Sequence, residues 1–434
     1  MTRHLWRGAW IDDAEVERRL AELDATGHEP LARPLDPELV IEAAAQLAKA
    51  LDNGAFAPTV QDGPHDGPEL TALRDLANFL CPENLERTLN TELGQRPRLS
   101  GRLAGELAAD HGIVEAWEPL GLLAHVLPAN VDTAGPVSLI EGLLSGNANI
   151  VKTSSRRGLL TQRFAAELIA IEPRIAPYLI VLRFAASRRS WLRQMCRPAD
   201  GVVVWGSQDA VDGVADLVPA GARLITWGPK ISFGYLTAAA WRHRETLVAL
   251  CDDICAMDQQ ACSSPQVIYL DTASQDVLWA AAAEIAAVLS EVDGTHPAPL
   301  PDMAEQAEIT NIVLVARHEE HLGLTRVFSG VDGRWHVIAA LDPALRASPL
   351  YRTIWVKPLP RAAIVSTLRP MRRYLQTVGV STADGPPTDL LQTLIAAGAQ
   401  RVTPVGSMHD SYPGEPHDGE YALRRYSRRI SIRR

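Results

Sequence analysis

Residues 201–211 read GVVVWGSQDAV. The valine run is a short buried strand, and the residues after Ser207 have apolar positions at helical spacing. Between them, Gly206–Ser207 makes a tight turn. Its glycine lets backbone approach a ligand closely, and the helix N-terminus that follows favours an anion. The pattern is not G-x-G-x-x-G, and taken alone it is weak evidence for a nucleotide. Its neighbours carry the argument. LGLLAHVLP (120–128), ANIVKT (148–153), YLIVLRF (178–184) and ARLITW (222–227) are further short apolar strands. Helical stretches, SLIEGLLSG (138–146) and LLTQRFAAELIAI (159–171), separate them. Strands alternating with helices predict βαβ units and a mostly parallel sheet, an α/β fold.

A second alternating block follows residue 262. QVIYL (266–270), NIVLVAR (311–317), WHVIAAL (335–341), TIWVKPL (353–359), AAIVSTL (362–368) and RVTPVG (401–406) read as strands. Residues 277–292 and 389–398 read as helices. Upstream, residues 12–110 have a helical texture. The organisation expected is a mainly helical part of the cofactor domain over 1–110, and a dinucleotide-binding α/β domain over 111–235. A catalytic α/β domain over 236–405 and a C-terminal return segment with a closing strand over 406–434 complete it.

Composition narrows the classes. The 434 residues carry 47% hydrophobic and 22% charged side chains, as globular proteins do. A formal net charge of −10 argues against nucleic-acid binding. The end, ALRRYSRRISIRR, is locally basic, and suits a solvated strand, an anion-facing edge or a subunit contact equally. Five cysteines, odd in number and unevenly spread, argue for a reducing, cytoplasmic setting over a disulfide framework. Neither a signal core at the start nor an apolar run of membrane-spanning length is expected.

The chemistry centres on Cys262, within DQQACSSPQ (258–266). A helical segment precedes it, the strand QVIYL follows it, and Ala261, Ser263 and Ser264 flank it. A thiol on a small-residue turn is open to a substrate, and backbone N–H groups there help to make its thiolate reactive. Cys251 and Cys255 lie in an apolar helical run and read as core. The spacing C-x3-C-x6-C fits no common zinc pattern, so no metal is expected. Upstream, LLSGNANIVKTSSRRG (143–158) puts Lys152 at a strand end with Ser155 and Arg156 just beyond, a set that suits a nucleotide phosphate or equally a polar loop. In LPANVDTAG (127–135), Asn130 is either a helix cap or a donor to an oxyanion.

The order Pro-x-Asn, Gly-Asn-x-x-x-Val-Lys, strand-Gly-Ser-helix, Gly-x-Lys (228–230) and Gln-x-Cys resembles the aldehyde dehydrogenase superfamily. Within it, DQQACSSPQ, VVVWGSQDAV, ITWGPKISFGY, PLYRTIWVKPL and the late PHDG are most similar to the LuxC-type acyl-CoA reductases. The resemblance implies an aldehyde-dehydrogenase-like fold: a Rossmann-type cofactor domain, a catalytic domain and a C-terminal strand that pairs with a neighbouring subunit in a homodimer or homotetramer. It implies Cys262 as nucleophile, with Asn130 and the Cys262 N–H as the oxyanion hole. It puts the adenosine ribose at Lys152 and the pyrophosphate at Gly206–Ser207.

Two departures refine this. Aldehyde-oxidising members carry a water-activating glutamate two positions before the first glycine of their Gly-Gly-Lys motif, and here Thr226 stands there. A hydroxyl is far too weakly basic for that role, whereas thioester exchange needs no such water. NAD-preferring relatives often have Glu three residues after the lysine. Here Ser155, Arg156 and Arg157 favour a 2′-phosphate, hence NADPH over NADH. The expected activity is reduction of a fatty acyl-CoA or acyl-carrier-protein thioester to the aldehyde. Rival readings are a CoA-acylating aldehyde dehydrogenase running oxidatively, a cysteine acyltransferase or thioesterase, and an acyl-presenting scaffold. The histidines of MHDSYPGEPHDG (408–419), His409 and His417, receive no catalytic role.

Overall fold

In the computed structural model the parallel strands expected around residue 201 form one sheet, and those after residue 262 form another. The structure describes residues 3–54, 68–94, 98–99, 102–108, 113–128, 132–155, 158–237, 239–296, 301–381 and 387–433. Asn130, Arg156 and Arg157 lie outside the described residues. Contacts divide the chain into one unit of Met1–Gly228 with Tyr412–Arg434, and a second of Pro229–Ser411.

In the first unit, the strands of the larger sheet are β1 (His4–Trp6), β2 (Ala9–Ile11), β6 (Leu122–Val126), β7 (Ala148–Thr153), β8 (Leu179–Arg183), β9 (Gly201–Trp205) and β10 (Arg223–Trp227). Their spatial order is β10-β9-β6-β7-β8-β1-β2, parallel from β10 to β8. The chain moves outward through β6, β7 and β8, then restarts on the other side of β6 with β9. That reversal makes the gap between β6 and β9 a topological switch point, where doubly wound sheets open a crevice at the carboxyl ends of their strands. Ile150, Val151, Val181, Val202 and Val204 are all fully buried, because helices cover both faces. The hairpin β1–β2 adds antiparallel to β8 and had no counterpart in the helical reading of the N-terminus.

A smaller sheet in the same unit, β3 (Arg98–Leu99), β4 (Arg102–Ala108), β5 (Ile113–Pro119) and β18 (Ser427–Arg433), has the order β18-β5-β4-β3. The helical texture of RLAGELA gives way here, because β5 offers β4 a backbone ladder that local propensity cannot match. The closing strand β18 pairs antiparallel with β5 of its own chain, from Ser427↔Pro119 to Arg433↔Ile113. The expectation that it pairs with a neighbouring subunit concerns its other edge.

In the second unit, β11 (Ile231–Leu236), β12 (Pro265–Leu270), β13 (Thr325–Ser329), β14 (His336–Ala340), β15 (Thr353–Pro358), β16 (Leu375–Ser381) and β17 (Arg401–Pro404) form a sheet of order β13-β14-β15-β12-β11-β16-β17. All its pairs are parallel except β13–β14. Strand β12 shows why it is central: Val267 and Tyr269 enter the core on one face, Ile268 and Leu270 that on the other. Two segments read as strands are helical. NIVLVAR belongs to the helix Met303–Glu320, and AAIVSTL runs through the helix Ile364–Leu368. The first is fixed at its start by a capping box of Asp302 and Glu305, and it buries Ile309, Val313 and Ala316 while Leu314 and Val315 face out. A spacing of three and four, not of two, decides it.

Candidate active site

Cys262 lies in the second unit, at the amino end of β12, and its thiol is exposed. The helix Arg244–Cys255 leads to a 3-10 turn, Ala256–Gln259, and then to the turn that carries the cysteine. The Ser264 N–H closes that turn on the Ala261 carbonyl at 3.0 Å. Ser232, at the start of β11, donates its hydroxyl to the Cys262 carbonyl at 2.6 Å and accepts the Thr377 N–H at 3.0 Å. Gln259 spans the turn, with Nε2 donating to the Pro265 carbonyl at 2.8 Å. The Cys262 peptide is thereby pinned to β11 and β16 while the residue stays exposed.

Three further thiols, those of Cys196, Cys251 and Cys255, are excluded by their surroundings. Burial pushes the Cys196 and Cys255 thiols up to about 12 and that of Cys251 higher still. They stay protonated at neutral pH, as core cysteines do. Among the described residues no cluster of His, Cys, Asp and Glu could hold a metal ion.

His409, given no role from sequence, proves to be tied to the residue beside Cys262. Its Nδ1 is 3.1 Å from the Ser263 hydroxyl, and its Nε2 is 3.0 Å from the Asp253 carbonyl. A carbonyl only accepts, so Nε2 carries the proton. In the neutral ring Nδ1 then accepts from Ser263. The Asp253 carboxylate holds the same loop through the N–H groups of Gly406 (2.6 Å) and Met408 (3.2 Å). Burial pushes that carboxyl up, and the two N–H donors work against the shift. The separation of 146 positions from Ser263 to His409 hides this clamp from any local pattern. His409→Ala should slow acylation of Cys262 about tenfold, the effect of losing one hydrogen bond of about 1–1.5 kcal/mol. Quenched-flow labelling with an acyl-CoA would measure it, and an unchanged rate would leave His409 a purely structural residue.

The first unit places Lys152, Ser155, Gly206 and Ser207 at the carboxyl ends of β7 and β9, on either side of β6. Lys152 is the penultimate residue of β7, only 7% exposed, and burial pushes its ammonium pKa down. Ser155 follows, exposed. Gly158 closes the loop at φ 109°, where a Cβ would meet that of Thr153 at 2.5 Å. At the end of β9, Gly206 has φ 146°, and its N–H donates to the Trp227 carbonyl at 3.1 Å. A Cβ there would stand 3.3 Å from that of Ala210, narrowing the approach to the helix end. Ser207 caps the helix Gln208–Ala215 by accepting the Ala210 N–H at 3.4 Å. A bare glycine, a helix N-terminus and a lysine at the edge of a switch point fit a dinucleotide phosphate. Thr226 stands on β10 in register with Val204. His417, in this unit, packs against Trp205 and Trp227 with ring centroids 5.3 and 5.0 Å away.

A sequence model of the family "Acyl-CoA reductase (LuxC)" matches residues 34–429. The chain belongs to the LuxC family of acyl-CoA reductases. It is 26% identical over 368 residues to the long-chain acyl-protein thioester reductase of Vibrio harveyi, covering 83% of this chain and 73% of that one. Its likeness to the protein of that description in Photorhabdus luminescens is 27% over 370 residues, covering 83% and 72%. Among solved structures, an NAD-dependent aldehyde dehydrogenase from Sinorhizobium meliloti superposes with a TM-score of 0.76 at 14% identity, over 99% of this chain and 94% of that one. The fold of this LuxC member is therefore aldehyde-dehydrogenase-like. Among its described residues no helix is long and apolar enough to cross a membrane.

Proposed function

We propose that this LuxC member reduces an acyl thioester, carried by CoA or by an acyl carrier protein, to the aldehyde through an acyl-Cys262 intermediate, with NADPH as reductant. The observation that carries the reading is the Cys262 turn: an exposed thiol on a peptide pinned through its own carbonyl. The Cys262 thiolate attacks the thioester carbonyl, the new C–S bond forms, and the carrier's thiolate leaves and takes a proton from water. The Asn130 amide and the Cys262 N–H stabilise the oxyanion, and one such donor contributes about 3–4 kcal/mol to the barrier. A bound reduced nicotinamide supplies the hydride that the acyl carbon needs. Carbon–sulfur cleavage then releases the aldehyde and returns Cys262 as thiolate. Thr226 provides no carboxylate to activate water, so the acyl-enzyme waits for reduction instead of being hydrolysed.

Ser155, Arg156 and Arg157 support NADPH over NADH, and Lys152 supports a nucleotide of either kind. The test is nucleotide oxidation with decanoyl-CoA, followed for NADPH and NADH alike. NADPH should be favoured, and decanal should accumulate in equal amount. Absence of nucleotide oxidation with both CoA and carrier-protein thioesters would sink the reading. Ser155→Glu places a carboxylate where a 2′-phosphate would lie. It should lower kcat/KM for NADPH about hundredfold and leave NADH within a few-fold. Equal losses for the two nucleotides would remove Ser155 from the site.

A further inference from the structure

Two left-handed segments lie side by side in the second unit, one of them just upstream of the nucleophile. Met257, Asp258 and Gln259 have φ of 50°, 51° and 63°, and Leu350, Tyr351 and Arg352 have 64°, 49° and 58°. Elsewhere among the described residues only Arg7 and Asp418 are non-glycine residues with positive φ. Each left-handed step disfavours a residue with a Cβ by a factor of about ten, and aspartate is the only tolerant type among these six. Three in succession need a restraint from outside the segment.

That restraint is a buried ionic knot. Arg352 is 1% exposed, Asp258 5% and Asp293 7%. The Arg352 guanidinium donates from Nε to Asp258 Oδ1 at 3.0 Å, from Nη2 to the His296 carbonyl at 3.0 Å, and from Nη1 to the Asp293 carboxylate. The Tyr351 N–H donates to the Asp258 carbonyl at 3.0 Å, so each left-handed segment holds the other. The Gln260 N–H then bonds the Met257 carbonyl at 2.9 Å and opens the turn that ends at Cys262. A buried ion triad is a poor device for stability alone, since well-packed apolar side chains commonly do as well. Its pairing with strained backbone beside an exposed thiol points to orientation.

We propose that Arg352 is a positioning residue for Cys262: through Asp258 it enforces the left-handed segment that aims the nucleophile turn. The proposal rests on the reading of Cys262 as the nucleophile. Two variants of the full-length protein separate geometry from charge. Asp258→Ala and Asp258→Gly both delete the carboxylate and both leave Arg352 paired with Asp293. Only glycine adopts the left-handed backbone without cost. With radiolabelled decanoyl-CoA, Asp258→Ala should acylate about thirtyfold more slowly than the native protein, while alkylation of Cys262 by iodoacetamide stays within about threefold. Asp258→Gly should regain about tenfold of that loss. Deuterium exchange at the amides of residues 260–264 should quicken in the alanine variant and return towards the native rate in the glycine variant. Equal losses in the two variants would overturn the proposal, because charge and not geometry would then be at work. Native acylation in both would overturn it as well. If the native protein takes no acyl label, the reading of Cys262 as nucleophile fails, and the exchange contrast alone decides whether the knot positions the turn.

Discussion

Cys262→Ala should abolish both covalent acyl labelling and the proposed NADPH-dependent aldehyde formation, with an expected loss of at least about 10^4-fold in rate. The size follows from chemistry that no neighbour can supply. Cys196, Cys251 and Cys255 are held protonated by burial, two of them at about 12, and so offer no thiolate near neutral pH. The Ser263 hydroxyl donates to His409 Nδ1 but remains a neutral alcohol there, a far weaker nucleophile than a thiolate. An exposed side chain removed from a turn whose bonds run through its backbone should change stability by less than about 0.5 kcal/mol. Unfolding therefore cannot account for the loss, and calorimetry on the variant verifies this. Cys255→Ala is the matched control: it should keep its label and lose stability instead. Label retained by Cys262→Ala would show that another nucleophile carries the acyl group.

The parts of this protein that were legible in its sequence are those written in short-range periodicity. β9 and β12 could be read because a strand buried on both faces leaves a run of apolar β-branched residues, ended by a small-residue turn. Cys262, Lys152, Gly206 and Ser207 stood out for the same reason, as polar or small residues where a strand meets a turn. NIVLVAR misled because its β-branched run hides a helical face of only Ile309, Val313 and Ala316. The supports of the Cys262 turn were invisible on different grounds. His409 and Arg352 are brought to the amino end of β12 by parallel crossovers, which put them in contact with Ser263 and Asp258, 146 and 94 positions away, and Ser232 reaches Cys262 from 30 positions upstream. The left-handed segments carry no glycine to announce them, since an ion pair and not residue type holds their backbone.

Arg352→Met is the substitution expected to cost most in stability. It removes the guanidinium shared by Asp258 and Asp293; Asp293 keeps an ion pair with Arg334 at 3.5 Å, while the Asp258 carboxyl is left buried without Arg352. Breaking a buried pair from one side costs about 3–5 kcal/mol. For a unit of this size that is a fall of about 10 °C in Tm. The same change should make stability depend on pH with a definite sign. Burial already pushes the Asp258 carboxyl up, and Arg352 is what opposes it. Without Arg352 that carboxyl rises further, so between the ordinary carboxylate pKa, about 3.9, and its raised native value the folded state holds a proton that the unfolded chain has released. Stability then falls as pH rises through that window. The Tm gap between native protein and Arg352→Met should be small near pH 4 and wide at pH 8, as measured by calorimetry in parallel buffers. A gap that is the same at both pH values would mean that the buried carboxyls find other donors when the arginine is gone. In the double variant Asp258→Asn/Arg352→Met that uncompensated charge is absent, so most of the lost stability should return at pH 8. The aim of the Cys262 turn should not return with it, because neither side chain then enforces the left-handed backbone.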